Sequence, residues 1–379
     1  MALAFTLSGC AFTDVGRVPD YLALSRRVGR SSVGPTPLPV RINVDNDWER
    51  LVNAINWASI PVRLNLSNSN MTNTEFDPGN NGSRYIVSIV LPNSVTGITR
   101  GFGIFPNIST IRFPASVDLD EVNPFVGLSQ VTFNLRGSGD LDVIENGRAL
   151  VRGGSELVSF PSASGNVTLN NITIIARSAL NGTAVESINF PAVTAVGMFA
   201  FGNCANLTTV NLPTAEFIEY GAFINNTSLQ NINLPAAVSI GANVFLGNTS
   251  LQTVELPAVT SIGAHAFQGN TSLRAVNIPA AVSLGHRAFA NTGTQALAIT
   301  VNQWPSYIGT QMFFGVGAAK AVTVRVPQDA IGNITPAMNN AVRGRGWQNG
   351  TFILPFQTGS SWNPVFQFNT NINLSFQGQ

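Results

Sequence analysis

Charge is what this chain has least of. Only 10% of its 379 residues are Asp, Glu, Lys or Arg, and the net charge is +1. Lys320 is the only lysine, so positive charge is nearly all arginine and thinly spread. Nucleic-acid capture needs a basic stripe, and no nucleic-acid partner is expected. Two cysteines, Cys10 and Cys204, are too few for a disulfide framework. The two histidines, His265 and His286, have no nearby carboxylate or cysteine to complete a zinc site, so no metal is expected. No run of 18 apolar residues occurs, which excludes a membrane-spanning helix. Phosphate loops, dinucleotide fingerprints, nucleophile elbows and zinc helices are missing too. The chain is therefore not expected to be an enzyme, and neither catalytic residues nor cofactors are assigned. The acidic groups Asp118, Asp120, Glu121 and Asp140, Asp142, Glu145 lack calcium-loop spacing and read as solvated turns.

What is present is a repeat. Pro191, Pro213, Pro235, Pro257 and Pro279 stand 22 residues apart, and their neighbours repeat with them. Leu229, Ile232 and Leu234 lead to Pro235, with Ile240 and Phe245 five and ten residues past it. The Pro257 and Pro279 units carry the same pattern, ending on Phe267 and Phe289. A period of 20–30 residues around an L-x-x-V-x-L core marks a leucine-rich solenoid. In Leu229–Leu234 the last residues alternate, so Ile232 and Leu234 point inward while Asn231 and Asn233 face out. Proline lacks the N–H that a parallel ladder needs and ends the strand at one level in every coil. The aromatics Phe201, Phe223, Phe245, Phe267 and Phe289 are expected to stack as an internal column. Gly241, Gly263 and Gly285 suit a turn, although Glu219 in the same place shows that no left-handed backbone is required there. Asn226, Asn248 and Asn270 are expected to bond their own backbone while turning the chain. Cys204 shares their position in its coil.

The flanks divide the chain further. Residues 1–9 read as the remnant of a signal peptide, ending in the box Leu7-Ser8-Gly9-Cys10, which resembles the lipoprotein cleavage site and makes Cys10 the expected lipidation residue. Residues 10–40, rich in Pro, Gly and Ser, read as an extended tether. Residues 41–84 are expected to cap the solenoid: Asp45-Asn46-Asp47 precede an amphipathic helix with Trp48, Leu51, Val52 and Ile55 on one face, followed by Val62–Leu66. The solenoid itself is placed at 85–330. Its looser coils carry Pro92, Pro114, Arg136 in a proline slot, and Pro161. Residues 331–379 alternate from Phe366 to Phe376 and are expected to form a capping β segment. A second reading makes their aromatics, among them Trp347, Phe352 and Phe356, a binding surface. The expected fold is thus mostly β or α/β in type, a solenoid of about 22-residue coils. It would carry a parallel sheet on the concave face, a helical cap at one end and a β cap at the other.

The unit Phe-x-x-Asn/Cys-x-x-Leu-x-x-Val-x-Leu-Pro-x-x-Val-x-x-Ile-Gly-x-x-Ala-Phe is seen at Ala200–Pro213 and again at Ile262–Phe267. It resembles the BspA-like (Treponema-pallidum-type) leucine-rich repeats of bacterial surface proteins, closely over 185–292 and loosely over 85–330. The resemblance implies an envelope-associated protein, lipid-anchored at the outer membrane or periplasmic face, that binds host or bacterial partners. It offers no catalytic residue to carry over.

Function then rests on the outward face of the strands. Its two columns read Ser187/Asn189, Thr209/Asn211, Asn231/Asn233, Thr253/Glu255 and Ala275/Asn277, with Ser88/Val90, Thr110/Arg112, Thr132/Asn134 and Leu157/Ser159 in earlier coils. Small hydroxyls and amides make directional hydrogen bonds at low entropic cost, which suits a protein, peptide or glycan ligand. The membrane would be touched only through the lipid. The alternatives are a structural envelope scaffold and a carbohydrate-active solenoid enzyme. The latter needs paired carboxylates on this face, where only Glu255 stands.

Overall fold

The computed structural model describes residues 36–309, apart from 41, 120–122, 293–296 and 303–304; beyond them it describes Met312 and the short strands Val322–Arg325, Pro355–Phe356 and Gln377–Gly378. Cys10, Trp347, Phe352 and the alternating 366–376 run lie outside the described residues, so the lipidation and most of the C-terminal cap do too. Pro355–Phe356 pairs in parallel with Gln377–Gly378. The chain divides into two compact units, Met1–Gly154 with Val158–Ser162, and Ser155–Leu157 with Ala163–Gln379.

The first unit opens on a five-stranded parallel sheet in the order Thr36–Pro39, Val62–Asn65, Ile86–Val90, Thr110–Pro114, Thr132–Arg136. Thr36–Pro39, at the end of the stretch read as a tether, pairs with Val62–Asn65, and that strand of the expected cap pairs onward to Ile86–Val90. The helix runs Val44–Ala58, so Asp45 and Asp47 lie in its first turn and the N-cap is Asn43, without a side-chain cap bond. Those carboxylates still favour the positive end of the helix dipole. Its apolar stripe, Val44, Trp48, Leu51, Val52 and Ile55, is buried. Trp48 meets Phe76 and Phe105 edge-on at 5.2 and 6.1 Å and donates Nε1–H to the Pro78 carbonyl at 2.8 Å. Phe76, Phe102 and Phe125 form this unit's stack, with centroids 5.9 Å apart at both steps. Arg136, in the proline slot, donates to the Leu91 and Pro92 carbonyls at 2.8 and 3.2 Å. Burial and the neighbouring Arg112 lower its pKa. An antiparallel hairpin, Leu141–Ile144 with Ala149–Arg152, stands between the Arg136 and Pro161 coils.

In the second unit each coil contributes two strands. The longer one precedes the proline. The other is a two-residue strand four and five residues past it, as in Ser239–Ile240 and Ser261–Ile262, and it forms a second parallel ladder that continues to Tyr307–Ile308. Between the ladders runs the aromatic column. Phe201, Phe223, Phe245, Phe267 and Phe289 are fully buried and stacked, with centroids 5.1, 5.6, 5.2 and 5.4 Å apart.

As Glu219 in the same place implies, Gly263 and Gly285 have no positive φ; they are glycine because a Cβ would come within 2.4 Å of the Ala242 and Ala264 backbone nitrogens of the preceding coil. Left-handed backbone falls instead at two later places. The first is Phe199, Gly221, Asn243, His265 and Arg287; the second is Asn203, Asn225, Gly247, Gly269 and Asn291.

Asn226, Asn248 and Asn270 do not bond their own backbones. They are fully buried, and each Oδ1 accepts the N–H of the residue one coil earlier, Cys204, Asn226 and Asn248, at 2.8, 2.7 and 2.8 Å. The same column ends on hydroxyls: Thr183 and Thr292 each donate to the carbonyl three residues back, at 2.8 and 3.0 Å. An internal file of amides thus satisfies backbone donors that the turns would strand.

Candidate functional site

The candidate site is the outward face of the longer strands in the second unit. Strict 22-residue register lines up Ser187, Thr209 and Asn231, and beside them Asn189, Asn211 and Asn233. Thr253 aligns with Ala275, and Glu255 with Asn277. The expected residues therefore share one face, partly or fully exposed, while Val210, Val254 and Val276 between them are buried. Leu157 and Ser159, expected to extend the columns, do not face out. Both are buried, and Ser159 donates to Asn123 Oδ1 at 3.0 Å.

Side chains on this face bond along the column. Asn211 Nδ2 donates to Asn189 Oδ1 at 2.7 Å, and Asn233 Nδ2 to Asn211 Oδ1 at 2.6 Å. Asn277 Nδ2 donates to a Glu255 carboxylate oxygen at 2.6 Å. Ser187 Oγ reaches Asn166 Oδ1 at 2.7 Å, a partner the sequence reading left out because its coil is irregular.

The ladder is interrupted once within this stretch. One four-stranded sheet ends at Asn231–Asn233 and another begins at Thr253–Glu255. Leu212 N–H bonds the Asn233 carbonyl at 3.1 Å and Leu256 N–H the Asn277 carbonyl at 2.9 Å, but the equivalent bond from Leu234 to Glu255 is not made. Elsewhere the same two coils stay joined: Ser239 and Ile240 pair with Ser261 and Ile262, and Gly263 N–H reaches the Ile240 carbonyl at 2.8 Å. The opening is confined to the outward face. It forms a cleft of about 330 Å³ lined by Thr209, Asn211, Gln230, Asn231, Asn233, Thr253 and Glu255 over Val210 and Ile232. Ile232 is only half-buried, unlike its counterparts in adjacent coils. Gln230, just ahead of its strand, is a lining residue that alternation alone does not flag.

Two other groups show little chemistry. The His265 and His286 rings meet edge-on at 5.4 Å, and His265 Nδ1 pairs with Gln268 Oε1. Among the described residues no group of three or more His, Cys, Asp or Glu could hold a metal ion. Cys204 is buried, with Sγ 3.0 Å from the Leu180 carbonyl and 3.4 Å from Thr183 Oγ1. Burial raises its pKa.

Residues 173–296 match the family model described as BspA type leucine rich repeat region, in 6 copies. This stretch is a BspA-type leucine-rich repeat. The BspA-type coils include the face just described and the cleft within it. Among solved structures the chain is similar to the leucine rich repeat protein of T. pallidum, at 20% identity and a TM-score of 0.42, over 55% of this chain and 95% of that one. It is similar to a leucine rich cell surface protein of Faecalibacterium prausnitzii at 24% identity and TM-score 0.41, over 60% and 55% of the two chains. Against the pneumococcal vaccine antigen PcpA the values are 14% and 0.44, over 83% and 88%. No curated protein matches the chain.

Proposed function

We propose that this protein is a binding module of the bacterial cell envelope. It would be held to the membrane by a lipid on Cys10 and engage a protein, peptide or glycan through the outward face of its BspA-type coils. The observation that carries this reading is the face itself. It is a run of aligned amides and hydroxyls from Ser187 to Asn233 that the core does not need, with a cleft at its end. The lipobox ending at Cys10 and the repeat type support the envelope location. A carbohydrate-active enzyme would need a second carboxylate near Glu255, and the residues lining the cleft supply none.

The test is capture by the full chain, in detergent, from host-matrix and bacterial-envelope fractions. Asn211→Arg with Asn233→Arg puts bulk at the centre of this face and fills the cleft. The double variant should melt like the parent and lose at least about tenfold in affinity for whatever the parent captures. Undiminished capture by the double variant would refute the face as the binding surface.

A further inference from the structure

The outward asparagine column at 189, 211 and 233 has a polarity, and it runs out where the ladder breaks. Each asparagine hands its Nδ2–H to the coil before it and leaves its Oδ1 for the coil after it: Asn211 to Asn189, then Asn233 to Asn211. The next donor is due at position 255, and glutamate has none to give. A carboxylate is acceptor-only, and Glu255 already takes an N–H from Asn277 on its far side. Asn233 and Glu255 line the same cleft, and no hydrogen bond joins the Asn233 Oδ1 to the Glu255 carboxylate, since both are acceptors. At the same interface the backbone bond from Leu234 to Glu255 is missing, and the cleft opens.

The cleft thus presents acceptors, one of them charged. Among the described residues no Lys, Arg or His forms an ion pair with Glu255. Arg274, one coil on, is turned to Gln252. The missing guest is a cation rich in N–H donors, with an apolar stem to lie on the half-buried Ile232. Guanidinium has five donors in a planar fork and no acceptor, so one group serves both Glu255 and Asn233. A cleft of about 330 Å³ has room for one such side chain.

Resting on the binding reading above, we propose that this cleft receives an arginine side chain, presented by an extended segment of a partner protein. Neutral sugars lack the charge that Glu255 leaves uncompensated.

The probes are acetyl-Ser-Gly-Arg-Gly-Ser-amide and the same peptide with citrulline, which keeps the shape and loses the charge. They are titrated calorimetrically into the full chain, its Glu255→Gln variant and its Glu255→Asn variant. The parent should bind the arginine peptide at least about tenfold tighter than the citrulline peptide, since charge-assisted bonds are the stronger. Glu255→Gln should remove that difference. Glu255→Asn restores the donor the file lacks, so it should close the ladder, slow hydrogen exchange at the Leu234 amide and abolish binding. Equal affinity for the two peptides overturns the proposal, as does an unchanged affinity in Glu255→Gln, or no heat with arginine peptide at about 10 mM. If the arginine double variant at 211 and 233 loses its captured partner while Glu255→Gln keeps it, the face binds but the guanidinium cleft is wrong. If both variants keep the partner, the face reading has failed as well.

Discussion

Phe245→Ala probes the column on which every BspA-type coil depends. Phe245 is fully buried between Phe223 and Phe267, at centroid distances of 5.6 and 5.2 Å. Truncating a buried phenylalanine costs about 3–5 kcal/mol through lost burial and the cavity left behind. Two ring pairs also break, each worth about 0.5–1.5 kcal/mol beyond its area. The neighbouring rings cannot close the gap, because their coils are held at fixed spacing by the second ladder and by the buried amides above and below. The expected loss is therefore at the upper end of the truncation range, about 4–5 kcal/mol, a large part of the stability of a typical domain. Phe245→Leu keeps most of the volume and should cost about 1–2 kcal/mol. Urea unfolding followed by far-UV circular dichroism reads both variants. A loss below about 1.5 kcal/mol for Phe245→Ala would show that the coils slide together and that the column is not what spaces them.

Three further outcomes follow from the same interior and from the chain's start. Asn248→Ala strands the Asn226 N–H in the core and should cost about 1–3 kcal/mol by urea unfolding, whereas Asn248→Thr, the residue type at 183 and 292, should cost less. Cys204 should resist iodoacetamide in the native protein and react on unfolding; because burial raises its pKa, the stability it contributes is present below the unfolded thiol pKa and is lost as pH rises through the folded one. Detergent phase partitioning should place the mature wild type in the detergent phase and Cys10→Ala in the aqueous phase, and aqueous partitioning of both would end the lipoprotein reading.

Much of this architecture was legible because one physical constraint repeats. Proline at the strand end and phenylalanine ten residues on are strong signals, and both held from Pro191 to Phe289. The outward columns at 187–277 were legible from alternation. Alternation failed at Leu157 and Ser159, where the chain passes from the hairpin into the regular coils. The second ladder was not legible, since strands of two residues such as Ser239–Ile240 are too short to show a period. The left-handed positions hide because asparagine, histidine, arginine and phenylalanine all occupy them. Asn226, Asn248 and Asn270 look like turn residues in any single unit. Their bonds run to the neighbouring coil, and a local reading cannot see a partner 22 residues away. The cleft coincides with one departure, glutamate where the column has asparagine. That was noted only as a charge, because its effect depends on which way the amides point.

The buried amide file has a consequence for how such a protein can change length. Asn226 and Asn248 occupy equivalent places, so excising residues 226–247 would bring Asn248 Oδ1 to the Cys204 N–H that Asn226 now satisfies. A cut one residue longer or shorter would throw every phenylalanine and amide beyond it out of step. Within the regular 22-residue coils length is thus quantised, growing or shrinking by whole coils. The same excision would carry away Asn233 and set Asn211 against Glu255, so the opening in the surface would be inherited by the shortened chain instead of being lost with the coil removed.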